Sequence, residues 1–227
     1  MKIGVLGTGM VGQTLSGKLA ELGQDVIVGT RDVAATLART EPHPYGFPPF
    51  SAWHQEHPAV KVGTFADTAR HGEVIINATN GVGSLDALHL AGAANLNGKI
   101  MMDVSNPLDF SSGMPPTLAV CNTDSTGEQI QRAFPESRVV KTLNTVTASL
   151  MVAPGLVAHG DHTLFVCGND PAAKEQVRVW LKEWFGWQDV LDLGDISAAR
   201  GMEMYLPLWL RLWGALGTGV LNIKVVK

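Results

Sequence analysis

Gly7, Gly9 and Gly12 stand at G-x-G-x-x-G spacing, directly after the apolar run Lys2–Leu6 and directly before a helical pattern. Three positions without side chains at that spacing do three different things. The first makes a tight turn, the second lets backbone approach a pyrophosphate, and the third lets helix and strand pack closely. Such a turn offers backbone N–H groups and the positive end of a helix to phosphate oxygens. A merely tight turn would not need all three glycines, so the pattern predicts a dinucleotide-binding turn.

The second apolar run, Asp25–Gly29, decides which dinucleotide. A site for NAD places an acidic side chain at its end, accepting hydrogen bonds from the ribose hydroxyls. Here the chain reads Gly29-Thr30-Arg31-Asp32. The Arg31 guanidinium can grip a 2′-phosphate with paired N–H groups, and Thr30 can donate a further bond. Asp32 comes late for the ribose and is expected to point away or to orient Arg31. NADP(H) is therefore preferred over NAD(H).

In open α/β sheets, ligands bind beyond the carboxyl ends of the strands. Those ends are Asn77-Ala78-Thr79-Asn80-Gly81, Ser105-Asn106-Pro107 and Leu143-Asn144-Thr145, all small, polar and uncharged; Lys99 is the only lysine or arginine between Val74 and Gly127. A crevice of this kind suits a nicotinamide and a second flat ring, with Thr79, Asn80, Asn106 and Asn144 as candidate binding residues. Neither G-x-S-x-G nor H-E-x-x-H occurs. His159 and His162 flank Gly160-Asp161 and read as a turn, so no metal site is expected, and no catalytic acid or base is assigned.

These residues need strands and helices to carry them. Val11, Leu15, Leu19 and Leu22 form one face of a helix stopped by Gly23. Strand, turn, helix and strand within thirty residues make a right-handed βαβ unit. The alternation continues through strands at Val60–Val62, Val74–Ala78, Lys99–Val104 and Val139–Leu143, with helices around Asp67–Arg70, Leu85–Ala94 and Gly127–Ala133. This predicts an α/β fold, a Rossmann-like, doubly wound, mostly parallel sheet with a small C-terminal helical part. Residues 1–145 form the expected NADP-binding domain; residues 146–227 form an α/β and helical segment packing on it. That segment reads as a strand Thr163–Cys167, then a helix opened by Asp170-Pro171 and closed by Gly186. A strand Asp189–Leu193 and a last helix from Ala198 follow. Trp180, Trp184, Trp209 and Trp213 read as packing. Glu41–Pro58, with five prolines and three histidines, is too long for an ordinary connection and reads as a functional lid or a mobile segment.

Composition narrows the function classes. The chain has 227 residues, 45% of them hydrophobic and 17% charged, which excludes disorder and suits one large domain or one with an appendage. Its net charge of −4 supplies no field for nucleic acid. Cys121 and Cys167 are too far apart for a disulfide scaffold or a cysteine-rich zinc site, so a reducing, cytoplasmic compartment is expected. Met1–Leu6 lacks the pattern of a signal peptide. Met204–Ile223 carries only Arg211 as a charge. With Pro207 and three glycines also in it, the stretch is expected to be buried or to form a homodimer interface, not to span a membrane.

Lys2–Gly12 (K-I-G-V-L-G-T-G-M-V-G), Val28–Arg31 (V-G-T-R), Val139–Thr145 (V-V-K-T-L-N-T) and Asn222–Lys224 (N-I-K) together resemble the deazaflavin-dependent NADP reductase family. Leu193-Gly194-Asp195, followed by Ala199-Arg200 and an apolar helix, adds to this. The resemblance spans nearly the whole chain and is most specific at its two ends and at Val139–Thr145. It implies hydride transfer between NADPH and the deazaflavin coenzyme F420, a Rossmann domain with a small helical part, and a dimer. It further implies pyrophosphate contacts at Thr8, Gly9, Met10 and Val11, 2′-phosphate contacts at Thr30 and Arg31, and nicotinamide-side contacts at Thr79, Asn80 and Asn144. Two further readings of the redox partner stay open: a flavin, or a small carbonyl or imine substrate. The last lacks a lysine on a helix beyond the sheet. An NADP(H)-binding sensor without turnover is the alternative outside enzymes.

Overall fold

The computed structural model describes residues 1–41 and 48–227. Its strands are β1 (Lys2–Leu6), β2 (Asp25–Thr30), β3 (Lys61–Thr64), β4 (Val74–Asn77), β5 (Ile100–Asp103), β6 (Leu108–Asp109), β7 (Thr117–Leu118), β8 (Arg138–Thr142), β9 (Thr163–Gly168) and β10 (Asp189–Asp192). The helices are α1 (Met10–Glu21), α2 (Val33–Ala38), α3 (Phe50–Glu56), α4 (Phe65–His71), α5 (Ser84–Ala91), α6 (Ala93–Leu96), α7 (Thr126–Ala133), α8 (Ala148–Val152), α9 (Pro171–Trp180), α10 (Ala199–Met204) and α11 (Leu206–Leu216).

Eight strands form one sheet in the order β10-β9-β8-β5-β4-β1-β2-β3, while β6 and β7 make a separate hairpin. All neighbours in the sheet are parallel except β8 and β9. β4 and β5 are buried along their whole length, as strands covered on both faces must be. Ile3, Val5, Ile76 and Met102 face the layer of α1, α8 and α9, where Leu15, Leu19, Leu150 and Val177 close over them. Ile75, Met101 and Val139 face the other way, against Leu88 of α5, Ile130 of α7 and Met202 of α10. Each fully buried side chain of this size contributes roughly 1.5–3 kcal/mol. From β1 the chain builds outward to β2 and β3, then returns to β4 on the other side. The carboxyl ends of β1 and β4 therefore flank a topological switch point, where a crevice opens.

Several elements differ from the sequence reading. β2 runs one residue further, so Thr30 is still in the sheet. The expected helix Leu85–Ala94 is divided at Gly92, whose φ of +87° separates α5 from α6. The single last helix becomes α10 and α11, meeting at Tyr205 with Pro207 in the first turn of α11; proline is tolerated there but not in the interior of one continuous helix. Of the long connection Glu41–Pro58, residues 42–47 lie outside the described residues. The remainder holds α3, whose Phe50 is buried. The ring of Trp53 stacks on His57 with centroids 4.3 Å apart, and His57 lies over Gly17 of α1, where a Cβ would come within 3.3 Å of the imidazole. This half is a packed helix, not a free lid.

The chain end returns to the sheet. Thr163 N donates to Ile223 O at 3.0 Å, and Asn222 Nδ2 donates to Thr163 O at 3.0 Å. Among the described residues, no helix is long and apolar enough to cross a membrane.

Candidate functional site

The glycine turn follows β1 and is built by three different constraints. Gly7 holds φ +117°, and a Cβ there would fall 2.5 Å from Ala78 O. At Gly12 a Cβ would fall 2.0 Å from Gly7 O. Gly9, by contrast, has nothing within 4 Å of that position. Two glycines thus let the protein close on itself, and the third leaves one side of the turn open. Gly7 N donates to Gly29 O at 3.1 Å, and Gln13 Nε2 donates to Thr8 O at 2.9 Å, which fixes the loop. Gly9 caps α1 with no side-chain bond, and the first turn holds no acidic residue. The leading N–H groups of α1, at Met10, Val11 and Gly12, are therefore turned to an anion-binding end.

A cavity of about 410 Å³ runs from this turn along the end of β2. Gly7, Thr8, Gly9, Thr30, Arg31, Thr79 and Asn80 all line it, so seven of the residues singled out from the sequence meet at one place. Asp32 also reaches its wall, but Asp32 Oδ1 accepts from Ala35 N at 2.9 Å and caps α2. Its carboxylate caps the helix while still bordering the cavity, so it is not turned away from the site. Thr30 is buried, and its hydroxyl lies 2.7 Å from that of Thr36. Thr36, Phe65 and Arg39 also line it. The sequence reading missed these three: Thr36 and Arg39 come from α2 and its end, and Phe65 opens α4.

On the β4 side, Thr79 Oγ1 donates to Asn77 Oδ1 at 2.7 Å and lies 2.8 Å from Ser84 Oγ. Asn80 Oδ1 accepts from Val82 N at 3.2 Å, capping a short 3₁₀ turn. Asn106 and Asn144 do not line the cavity; they form a pair of their own at the ends of β5 and β8. Asn144 Nδ2 donates to Asn106 Oδ1 at 3.0 Å and to Met202 O at 3.2 Å, and Asn106 Nδ2 donates to Asn144 O at 2.8 Å. Leu143, at φ +61°, turns the chain into this pairing. Asn144 Oδ1 is buried and has no partner among the described residues.

Behind these loops lies a polar row that no local pattern announced. Leu6, Asn77, Asp103 and Lys141 are register partners across β1, β4, β5 and β8. Lys141 is fully buried, with its Nζ 2.8 Å from Asp103 Oδ2, 2.8 Å from Glu203 Oε1 and 2.6 Å from Ser105 O. Asp103 Oδ1 accepts from Asn77 Nδ2 at 2.9 Å and from Ser105 Oγ at 2.7 Å. Glu203 accepts from Thr126 N at 2.8 Å and Gly127 N at 3.1 Å, the first turn of α7. Burial alone would pull the ammonium down, but the two carboxylates outweigh it and hold Lys141 above its ordinary 10.5. Lys141 is thus a charged strut tying α10 to the sheet, not a proton donor. Lys174 is held by Asp192 and by Gly194 O. Burial pushes the Cys167 thiol up to about 12, which leaves it inert as a nucleophile. His162 engages Pro154 O and Asn222 with its two ring nitrogens. The arrangement is an anion cradle joined to an uncharged crevice, suited to reactions in which bound cofactors carry the chemistry.

Residues 2–107 match the family described as "NADP oxidoreductase coenzyme F420-dependent". A crystal structure of a candidate F420-dependent NADP-reductase from Arthrobacter sp. FB24 is 61% identical with a TM-score of 0.95, and each chain covers the whole of the other. Rat metalloreductase STEAP3 is 28% identical over 216 residues, 92% of this chain and 38% of that protein. Human metalloreductase STEAP2 is 28% identical over 93% of this chain and 37% of its own length. The chain thus spans well under half the length of these curated relatives. A reductive aminase from Aspergillus terreus, solved with NADPH and ethyl levulinate, has a TM-score of 0.62 at 15% identity, over 95% of this chain and 62% of its own, and shares the fold.

Proposed function

The chain belongs to the family of coenzyme F420-dependent NADP oxidoreductases, and from that premise we propose that it transfers a hydride between NADP(H) and a second flat redox cofactor, a deazaflavin of the F420 type or a flavin. One observation carries the cofactor reading. The switch-point cavity has the glycine turn on one side and Arg31 on the other, and among the described residues the one carboxylate that lines it, Asp32, caps α2. A 2′-phosphate fits such a wall, and the open side of Gly9 fits the approach of a pyrophosphate.

In this reading Gly7, Gly9 and Gly12, with the backbone of Thr8, Met10 and Val11, hold the pyrophosphate. Thr30 and Arg31 hold the 2′-phosphate. Thr79 and Asn80 border the nicotinamide end, and the Asn106–Asn144 pair holds the neighbouring loops beyond β5 and β8 in place. NADP(H), when bound, supplies or accepts the hydride at its nicotinamide ring. The chain's own contribution is to keep the two rings aligned at near-attack distance. The partner is a small redox molecule, and the setting is cytoplasmic. A second copy of the chain covers the exposed Leu208, Trp213 and Leu216 of α11, because so much apolar surface is an aggregation hazard when bare.

Mixing the purified protein with NADPH and oxidised deazaflavin, FMN, carbonyls and imines, and following loss of NADPH absorbance, tests this. Turnover with deazaflavin or FMN is expected. Turnover confined to carbonyls or imines overturns the second-ring reading, and tight NADPH binding without turnover across the panel points to a sensor.

A further inference from the structure

A second arginine shares the cavity with Arg31. Arg39 follows the last residue of α2 and lines the same cavity as Arg31, Thr30 and Thr36. Its backbone is fixed, since Ser51 Oγ of α3 donates to Arg39 O at 2.6 Å. Among the described residues, neither Arg31 nor Arg39 makes an ion pair. Lys61, Arg132 and Arg200, by contrast, are paired with Asp25, Asp124 and Glu128.

Charge balance gives the pair a purpose. A phosphate monoester carries roughly −1.5 to −2 at neutral pH, and Asp32 adds a further negative charge to the wall. One guanidinium leaves that total uncompensated. Two guanidinium groups in one cavity with Thr30 and Thr36 supply the missing positive charge and more donors. We infer that Arg39 is a second specificity-determining residue, closing a two-arginine clamp on the 2′-phosphate of NADP(H) from the far end of α2. The inference rests on the reading of this cavity as the adenosine end of the NADP(H) site.

Calorimetric titration of wild type, Arg31→Ala, Arg39→Ala and Arg39→Lys with NADP⁺, NAD⁺, adenosine 2′,5′-bisphosphate and adenosine 5′-monophosphate tests it. Arg39→Ala is expected to weaken NADP⁺ and the bisphosphate by about tenfold or more, to leave NAD⁺ and the monophosphate within about twofold, and to be partly rescued by lysine. Arg39 is solvent-exposed, and a thermal melt matching wild type verifies that the variant folds. Equal losses for all four ligands would place Arg39 against the adenine ring and overturn the clamp; so would no loss for any. A wild type that binds NADP⁺ no better than NAD⁺ sinks the underlying cofactor reading. Selectivity abolished by Arg31→Ala and untouched by Arg39→Ala sinks the clamp alone.

Discussion

Replacing Arg31 by alanine is expected to weaken NADPH binding by about 1.5–3 kcal/mol, the range for hydrogen bonds to a charged group, with NADH scarcely changed. Equal losses for the two cofactors would refute its role. The side chain is exposed, so protein stability should not move. Lys141 presents the opposite case. Lys141→Met leaves Asp103 and Glu203 buried without their cation, and removing one partner of such a group costs about 3–5 kcal/mol. Urea denaturation should show that loss; a change below about 1 kcal/mol would mean the two carboxylates find protons or water at no cost. Arg31 was legible from chain position alone, because the end of β2 is one residue away. The partners of Lys141 were not, since Asp103 and Glu203 lie 38 and 62 positions from it in the chain and meet it only through sheet register and the docking of α10.

At the level of elements, the glycine turn separates folding from binding. Gly12→Ala drives a methyl group into Gly7 O. Overpacking of this kind costs about 1–3 kcal/mol, and both the melting temperature and NADPH affinity are expected to fall. Gly9→Ala meets no protein atom, so its melting temperature should match wild type while NADPH affinity drops by about tenfold or more, roughly 1.4 kcal/mol. A Gly9→Ala variant with unchanged affinity would remove the pyrophosphate from this turn. The βαβ unit around the turn was readable because strand, turn and helix signals are local. Helix ends were less so. Gly92 divides a continuous apolar pattern by its backbone angle alone, and α3 hides within a proline-rich stretch because its stability comes from the contact of Trp53 and His57 with α1, not from helix propensity.

For the whole molecule, α11 is the element that one chain leaves least covered. Leu208 is 56% exposed and Leu216 is 62% exposed, and a hollow of about 620 Å³ elsewhere along the same helix is bordered by Met114, Pro115, Leu210, Arg211 and Trp213. Light scattering is expected to give about twice the chain mass of 24.2 kDa, and Leu216→Glu to reduce it toward one chain. A wild-type monomer at micromolar concentration would overturn the dimer. The apolar stretch itself was evident in the composition of residues 204–223. Its division into α10 and α11 was not, because it depends on where Pro207 falls relative to the docking of Glu203 on α7.

Local spacing alone made the glycine turn, the βαβ unit around it and the mostly parallel sheet legible and pointed to a 2′-phosphate, since each rests on backbone geometry and side-chain chemistry within a few residues. Only the tertiary structure decided that Arg39 joins Arg31, that Asn106 pairs with Asn144, and that Lys141 is sealed between two carboxylates. Those groupings follow from parallel register and from helices folding back over the sheet. Such long-range closures depend on how the whole core packs, and no short stretch of sequence encodes them.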